Sequence, residues 1–149
     1  MTEVLFYHLE RQPLEAALPQ LVERCVERGW RTVVQTGSPE RTAALDALLW
    51  TWRDDSFLPH GTAADGAAAE QPVYLTEGEE NPNAATVRFL VDGSRIAGTE
   101  GYDRIVCMFD GRDEEMVGQA RALWKEYAGG GHDCTYWQQD DSGKWQKKA

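Results

Sequence analysis

Three observations predict an α/β fold with three layers, α/β/α, around a mostly parallel central sheet. The N-terminal part of the chain alternates short apolar strands with amphipathic helices, which is typical of parallel sheets covered by helices. Two further apolar segments, 86–91 and 104–109, precede a long helix and a final strand. The composition, with 42% hydrophobic and 27% charged residues, is that of an ordinary globular protein.

The first part of the chain supplies two strands and two helices. Residues 3–9, EVLFYHL, predict a strand, and the apolar residues of 13–28 recur near every 3.6 positions, which predicts a helix. Residues 31–35, RTVVQ, predict the second strand. The next helix is expected to start with Ser38 as N-cap and Pro39 in its first turn. Its expected buried side, up to its end near residue 50, consists of Ala44, Leu45, Leu48, Leu49 and Trp50.

The second part is expected to complete the sheet and add one helix. Residues 60–71 are rich in Gly and Ala without an apolar period, so we expect a mobile loop there. A short strand at 73–76 is followed by an acidic, turn-rich loop. Strands at 86–91 and 104–109 lead to a helix over 113–127, whose acidic start complements the helix dipole. A final strand covers 133–139, and 140–149 is expected to be a frayed tail.

Composition and charge restrict the classes of function. The 149 residues are expected to form a single domain, 1–149. No apolar run approaches the ~20 residues that span a bilayer, and the N-terminus lacks signal-peptide features, so we expect a cytoplasmic protein without membrane contact. Cys25, Cys107 and Cys134 are odd in number and widely spaced, which indicates reduced thiols. The net charge of −10 disfavours a broad nucleic-acid-binding face but permits a small basic pocket.

The sequence contains neither a phosphate-binding loop nor a complete set of metal ligands. The first strand–helix turn, LERQPLEA, has no glycine, whereas a phosphate loop requires glycines before a helix N-terminus. His132, Cys134 and His60 could each supply one metal ligand, but a tetrahedral zinc site needs four ligands, or three and a water. We therefore expect no cofactor and no metal.

The run LLWTWRDDSFLPHG, residues 48–61, has the composition of a catalytic cluster. His60 with Asp54 or Asp55 would supply a base and an acid, but hydrolysis also needs a nucleophile, and Ser56 lies in no nucleophile-elbow motif. A small hydrolase or nucleotide-using enzyme with His60 as base is the alternative function, and we assign no catalytic residue. The run divides better by role, with Asp54, Asp55 and Ser56 in a turn, Phe57 and Leu58 in a partner-facing apolar patch, and Pro59 and His60 at the exit into the loop.

One face of the last helix combines positive charge with apolar surface. Val117, Arg121 and Lys125 are four residues apart, and Trp124 follows Arg121 by three, so all four share a face. The structural interpretation is that Arg and Lys extend over a buried indole. The functional interpretation is a pocket for an acidic peptide with an aromatic end, in which Arg121 binds a carboxylate through two hydrogen bonds. The pattern alone leaves both interpretations open.

Three segments together resemble a known family. FYHL lies in the first strand, LDALLWTWRDDSFLPHG covers 45–61, and ARALWKEY covers 120–127. In order and spacing the chain resembles the chi subunit of bacterial DNA polymerase III holoenzyme over about residues 3–139. The resemblance implies a Rossmann-like fold without a phosphate-binding loop, which agrees with the missing glycines. It also implies a clamp-loader accessory protein that is not an enzyme, although the holoenzyme is a DNA polymerase.

The resemblance further implies a peptide partner and its site. Members of the family bind the acidic, Phe-terminated C-terminal tail of single-stranded-DNA-binding protein. Arg121 falls on the tail-binding arginine of the family, and Trp124 and Lys125 fall on the neighbouring aromatic residue and lysine. Val117 and Gly118 stand where the family has more basic character, which implies weaker tail binding here.

A second partner is implied for the run at 48–61. Members of the family bind the psi subunit, which links them to the clamp loader, and Phe57 falls on a residue implicated in that contact. The expected psi interface is therefore Phe57, Leu58 and Pro59. Little or no direct nucleic-acid binding is expected from the net charge. The less favoured alternative is stacking of single-stranded DNA on Trp124, Tyr136 and Trp137.

Overall fold

The structure, a computed structural model, describes residues 2–52 and 58–149, which contain eight strands and three α-helices. The strands are β1 (Glu3–Leu9), β2 (Thr32–Gln35), β3 (Gly61–Thr62), β4 (Val73–Thr76), β5 (Val87–Leu90), β6 (Arg104–Asp110), β7 (Asp133–Gln139) and β8 (Trp145–Lys147). The helices are α1 (Leu14–Glu27), α2 (Pro39–Thr51) and α3 (Glu114–Gly129). The three helices and six of the strands follow the predicted order, with ends within two residues of the predicted ones, whereas β3 and β8 were not predicted.

The eight strands form one sheet in the order β3-β4-β2-β5-β6-β1-β7-β8, and all neighbours are parallel except β7 and β8. Helices α1 and α2 pack on one face, called the first face, where Leu18 and Leu45 share a buried cluster with Phe89. Helix α3 packs on the other, called the second face, where Leu123 shares a cluster with Phe6. The structure thus confirms the three-layer α/β/α fold with a mostly parallel sheet.

The helix ends follow from local capping chemistry, which the sequence predicted for the start of α2. Ser38 Oγ accepts a backbone N–H of the first turn of α2 at 3.2 Å, and Pro39 occupies the first helical position. Asp113 Oδ1 accepts two backbone N–H groups at the start of α3, at 3.0 and 3.3 Å. Gly29, with φ +75°, ends α1 in the left-handed conformation that glycine adopts without strain. Local chemistry therefore fixes where these helices begin and end.

Helix α2 buries a narrower face than the sequence suggested. Thr42, Leu45 and Leu49 are buried at a spacing of three and four residues. The expected burial of Ala44 and Trp50 is wrong, since Ala44 is exposed and Trp50 is 51% exposed. A helix turns by about 100° per residue, so Trp50, directly after Leu49, points away from the sheet.

Residues 61–71 are not the irregular loop that their composition suggested. They contain β3 and two 3-10 turns, Ala63–Asp65 and Ala68–Glu70. Thr62 caps the first turn: its backbone N–H donates to Asp65 Oδ2 at 2.7 Å, and its Oγ1 accepts an N–H of the turn at 3.3 Å. The capping box provides the order that the Gly- and Ala-rich composition does not reveal.

The expectation of a frayed tail over residues 140–149 is also wrong, because this segment forms a turn and the strand β8. Asp140 Oδ1 accepts the backbone N–H groups of Ser142 and Lys144 at 2.9 and 3.0 Å. This turn returns the chain onto β7, so that β8 pairs with it in antiparallel fashion. The Trp145 ring then lies 4.8 Å from the Tyr7 ring in an edge-on arrangement. An aromatic contact and a ladder of hydrogen bonds hold the C-terminal segment on the sheet.

Arg88, on β5, is fully buried and donates four hydrogen bonds to described residues on the second face. Its Nε donates to Gln35 Oε1 at 2.9 Å. Its two terminal nitrogens donate to the carbonyl oxygens of Gly78 and Glu80, at 2.7 and 2.9 Å, and to the Tyr102 hydroxyl at 2.9 Å. Arg88 therefore holds the loop after β4 and the loop after β5 against the sheet.

These loops cover the part of the second face that lies over β2, β4 and β5. Ala85, in the first loop, packs with Val33 and Tyr74 in a small buried cluster. The loops also contact each other, because Glu79 Oε1 accepts the backbone N–H of Ala97 at 2.7 Å. The acidic segment that the sequence marked only as a turn is thus an integral part of the layer above the sheet.

We expect Arg88→Met to lower the free energy of unfolding by about 3 kcal/mol or more, because it leaves several buried acceptors without a donor. The exposed Arg112→Met is the matched control and should change stability by less than about 0.5 kcal/mol. Urea denaturation followed by circular dichroism measures both. A similar small loss in the two variants would contradict the role of Arg88.

Glu80 should contribute a pH dependence to stability. Burial alone would raise the pKa of Glu80, but hydrogen bonds from Thr76, from the backbone and from Tyr74, together with the charge of Arg88, lower the pKa below its ordinary 4.5. A carboxylate with a lowered pKa stabilises the fold above its unfolded pKa, and this stability is lost as the pH falls through the folded pKa.

We therefore expect Glu80→Gln to lose less stability than the parent chain between about pH 5 and about pH 3. Tyr74→Phe, which removes one donor to Glu80, should weaken the pH dependence in the same direction. Urea midpoints across this range provide the measurement. The same slope in all three proteins would rule out Glu80 as the source.

Candidate functional site

The four residues predicted for the last helix line one pocket. Val117, Arg121, Trp124 and Lys125 surround a cavity of about 200 Å³ on the second face. Its remaining lining consists of Phe109, Ala120 and Tyr136. We call this cavity the α3 pocket. The structure therefore brings together every residue that the sequence assigned to this site.

The shape of the α3 pocket follows from the packing of α3 on β6 and β7. Trp124 is only half-buried, and its ring lies 5.3 Å from Phe6 below it and 6.2 Å from Tyr136 beside it. Phe109 lies 6.1 Å from Tyr136. These rings form an apolar floor and wall, and the helix supplies the opposite wall. The indole thus packs against the core and also lines the pocket, so its position is compatible with both interpretations that the sequence left open.

Positive charge lies at the rim of the α3 pocket. Arg121 and Lys125 are exposed, and neither forms an ion pair within residues 2–52 and 58–149. Burial raises the pKa of the Tyr136 phenol, and the positive charge of Arg121 partly offsets this effect. The charge of Arg121 therefore acts on a side chain that forms the wall of the pocket. An apolar pocket with two uncommitted cations suits a ligand that has an apolar group next to a carboxylate.

Sequence reasoning missed a polar group behind the pocket. The Tyr136 hydroxyl is hydrogen-bonded to His8 Nδ1, and His8 Nε2 lies 2.8 Å from Glu10 Oε1. Strand alternation is the signal that could have predicted this contact. His8 and Tyr136 lie on neighbouring parallel strands, and their side chains face the same side of the sheet. This network holds the Tyr136 ring in place as a wall of the pocket.

A larger cavity, about 300 Å³, lies on the other side of α3 and differs in charge. Its lining is mostly apolar, with Phe6, Leu90 and Leu123 among its residues. The cation in its lining is Arg95, which already forms an ion pair with Glu126. This cavity therefore lacks the unpaired positive charges that lie at the rim of the α3 pocket.

The crevice at the carboxyl ends of the strands is the usual nucleotide site of an α/β sheet. Here it is lined by Glu15, Arg41, Asp92, Asp110 and Arg112. Arg41 Nε lies 3.2 Å from Asp92 Oδ2, and Arg112 Nε lies 3.5 Å from Asp110 Oδ1. Because both cations are paired with carboxylates, this crevice does not favour a phosphate group.

Comparison with known proteins identifies the family. The family model described as DNA polymerase III chi subunit, HolC, matches residues 1–135. The chain belongs to the DNA polymerase III chi subunit family. It is similar to the probable DNA polymerase III subunit chi of Rickettsia prowazekii, with 31% identity over 97 residues, which cover 65% of this chain and 59% of the relative. It is also similar to the DNA polymerase III subunit chi of Pseudomonas aeruginosa, with 34% identity over 87 residues, 56% of this chain and 59% of the relative.

The comparison confirms the resemblance to the chi family, and the matched part spans 59% of the length of each relative. In this chi-family chain, the proposed psi interface falls partly outside the described residues. Phe57 lies outside them, as do Asp54, Asp55 and Ser56. Leu58 is 2% exposed and belongs to the core cluster of the first face, so it is not the surface residue that a partner-facing patch requires. Pro59 is half-buried.

His60, the base of the alternative enzymatic interpretation, is a buried structural residue in this chi-family chain. Its side chain is 0% exposed. Nδ1 lies 2.6 Å from the Leu58 carbonyl oxygen, and Nε2 lies 3.0 Å from the Asp46 carbonyl oxygen and 3.2 Å from Asp46 Oδ1. Burial raises the pKa of Asp46, and His60 partly offsets this effect. Both ring nitrogens are engaged in the protein interior, so His60 cannot contact a substrate.

The other chemical alternatives gain no support from the geometry. Within the described part of the chain, no three His, Cys, Asp or Glu side chains are placed to hold a metal ion. His132 Nε2 lies 3.0 Å from Thr99 Oγ1 instead. Tyr136 and Trp137 are adjacent on β7, so their rings face opposite sides of the sheet and cannot form one stacking surface with Trp124 for single-stranded DNA. None of the helices described has the length and apolar character to cross a membrane.

We expect His60→Ala to lower the free energy of unfolding by about 2–4 kcal/mol, because it removes a buried ring and its hydrogen bonds. His132→Ala, which changes a half-buried histidine, is the control and should cost less. Urea denaturation measures both variants. A loss for His60→Ala no larger than that for His132→Ala would contradict the structural role.

Proposed function

We propose that this chain is a non-catalytic replication adaptor in the cytoplasm. It binds the acidic C-terminal tail of single-stranded-DNA-binding protein and links that protein to the clamp loader of DNA polymerase III. Membership of the chi family supports the replication context. The α3 pocket is the observation that carries the peptide-binding role, because it places Arg121 and Lys125 beside an apolar cavity.

The size of the α3 pocket suits one side chain of the tail. Its volume of about 200 Å³ is below the ~300–1,000 Å³ typical of small-molecule sites. The C-terminal Phe ring would enter between Trp124 and Tyr136, where Val117 and Phe109 complete the apolar lining. Its terminal carboxylate would lie at the rim, where the guanidinium of Arg121 can bind it through two hydrogen bonds.

Lys125 adds a second charge for the acidic residues that precede the Phe. It lies one helical turn beyond Arg121 on the same face of α3. A lysine is a flexible point charge, so it suits a tail whose acidic residues vary in position. Val117, one turn before Arg121, adds apolar contact but no charge, which limits the electrostatic part of the affinity.

Such a site favours weak and reversible contacts. One carboxylate and one ring support an affinity on the order of micromolar. Because single-stranded-DNA-binding protein would present several tails, the effective concentration near DNA rises without a tighter single contact. The adaptor could then exchange between tails as DNA is covered and uncovered.

The second contact that we propose is with the psi subunit or its equivalent in the clamp loader. Among the described residues, the exposed Trp50 and the half-buried Pro59 support this proposal better than the buried Leu58 does. Trp50 is 51% exposed, and its ring lies 4.3 Å from the His60 ring. Exposed aromatic side chains are frequent anchors of protein interfaces.

We expect Arg121→Ala to weaken binding of an acidic peptide that ends in Phe by about 30-fold, equivalent to about 2 kcal/mol, because one carboxylate loses its partner. Fluorescence anisotropy with a labelled peptide measures the dissociation constant. The control is Arg112→Ala, which removes the same charge outside the pocket and should leave binding within about twofold.

The two ways of failing are distinct. Equal binding by the parent and Arg121→Ala would remove Arg121 from the site but leave peptide binding intact. No binding by the parent at low salt, where electrostatic contacts are strongest, would overturn the adaptor function itself.

A further inference from the structure

A second groove lies on the first face of the sheet, on the side opposite the α3 pocket. Its volume is about 250 Å³, and its lining comes from the second half of α1, from Trp30, and from strands β1, β5, β6, β7 and β8. We call it the α1 groove. Its floor is aliphatic and includes Leu5, Leu21 and Val106. The α1 groove shares no lining residue with the α3 pocket.

Three arginines give the α1 groove a positive charge. Arg24 and Arg28 lie one turn apart on α1, and Arg104 approaches from β6. Among the described residues, Glu3 is the carboxylate that pairs with Arg104, at 3.5 Å, while Arg24 and Arg28 form no ion pair. In a chain with a net charge of −10, three arginines in one groove are a local reversal of the overall charge.

Four aromatic rings form the walls of the α1 groove. The Tyr7 ring stacks on Trp137 at 6.2 Å and meets Trp145 edge-on at 4.8 Å. The guanidinium carbons of Arg28 and Arg104 lie 5.0 and 4.4 Å from the centre of the Trp30 ring. Such contacts between a cation and an aromatic face are attractive and orient the guanidinium groups.

The arrangement favours a peptide over a nucleic acid. Single-stranded nucleic acids bind to ring faces that are free to stack with bases and to a continuous positive track. In the α1 groove, the Tyr7 ring is already stacked on Trp137, and Trp30 already carries the two guanidinium groups. The aliphatic floor between these rings fits an apolar side chain, while the arginines at the edges fit carboxylates.

We propose that the α1 groove is a second peptide-binding site, which takes an acidic segment of a partner protein with an apolar side chain set between carboxylates. The apolar side chain lies on the aliphatic floor between Trp30 and Trp145. The flanking carboxylates contact Arg24 and Arg28. This proposal does not depend on the function proposed for the α3 pocket, because the two surfaces lie on opposite faces of the sheet.

Defined peptides test this proposal on the full chain. The probe is a fluorescein-labelled peptide of about ten residues, made of Asp, Gly and Ser with one central Leu and an amidated C-terminus, which gives the α3 pocket no terminal carboxylate. Its anisotropy is compared with that of the same peptide with Ser in place of Leu, and with that of labelled oligothymidylate. We expect the Leu peptide to bind more tightly than either, and its binding to weaken as salt is raised.

Variants then locate the binding. The double variant Arg24→Glu/Arg28→Glu should weaken binding of the Leu peptide by about tenfold or more, and the milder Arg24→Gln by a few-fold. The matched double variant Arg11→Glu/Arg112→Glu makes the same change in net charge outside both surfaces and should bind within about threefold of the parent. Circular dichroism confirms that each variant is folded, and the milder Arg24→Gln provides the test if the double variant is not.

Each other outcome overturns the proposal in a recognisable way. No binding of the Leu peptide removes the site. Equal binding of the Ser and Leu peptides indicates charge attraction without an apolar anchor. Tighter binding of oligothymidylate that is lost in Arg24→Glu/Arg28→Glu assigns the groove to nucleic acid. A loss in Arg121→Ala as large as that in the double variant assigns the peptide to the α3 pocket.

Discussion

The buried guanidinium of Arg88 is the constraint on which the closure of the second face depends. Helix α3 packs on β6 and β7, so it covers only one half of that face. The other half, over β2, β4 and β5, is covered by loops whose carbonyl and hydroxyl groups accept hydrogen bonds from Arg88. A buried charge without such partners is very costly. The loops and the arginine therefore require each other, and together they replace a helix on the second face.

The unequal covering of the second face, by a helix on one half and by loops on the other, also explains where the α3 pocket lies. Since α3 is the one helix on the second face of the described chain, its flanks border open space over the sheet, and the α3 pocket lies between one flank and β7. Strand alternation then divides the aromatic residues of β7. Tyr136 faces the α3 pocket, and Trp137 faces the α1 groove. One strand thus contributes a wall to each of two surfaces on opposite faces.

The α3 pocket and the α1 groove have the same combination of features in a chain that is acidic overall. Each combines an apolar cavity with a few arginine or lysine side chains at its edge, in a chain with a net charge of −10. The overall charge repels nucleic acid at long range, whereas the local charge attracts a carboxylate at short range. Under the two binding proposals, one chain would hold two flexible partners at separate sites, through contacts that are weak enough to exchange.

The sequence by itself determined the three α-helices, six of the eight strands described, the layers and the face of α3. Periodicity, caps and glycine stops are local signals, and the spacing of Val117, Arg121, Trp124 and Lys125 places them on one face wherever the helix packs. Only the tertiary structure decided that Phe109 and Tyr136 complete that pocket, that Leu58 and His60 are buried, and that Trp137 joins three arginines on the other face. These facts depend on which strands are neighbours and on the register between them. Strand order arises from contacts between residues that are far apart in the chain, and no local pattern encodes it.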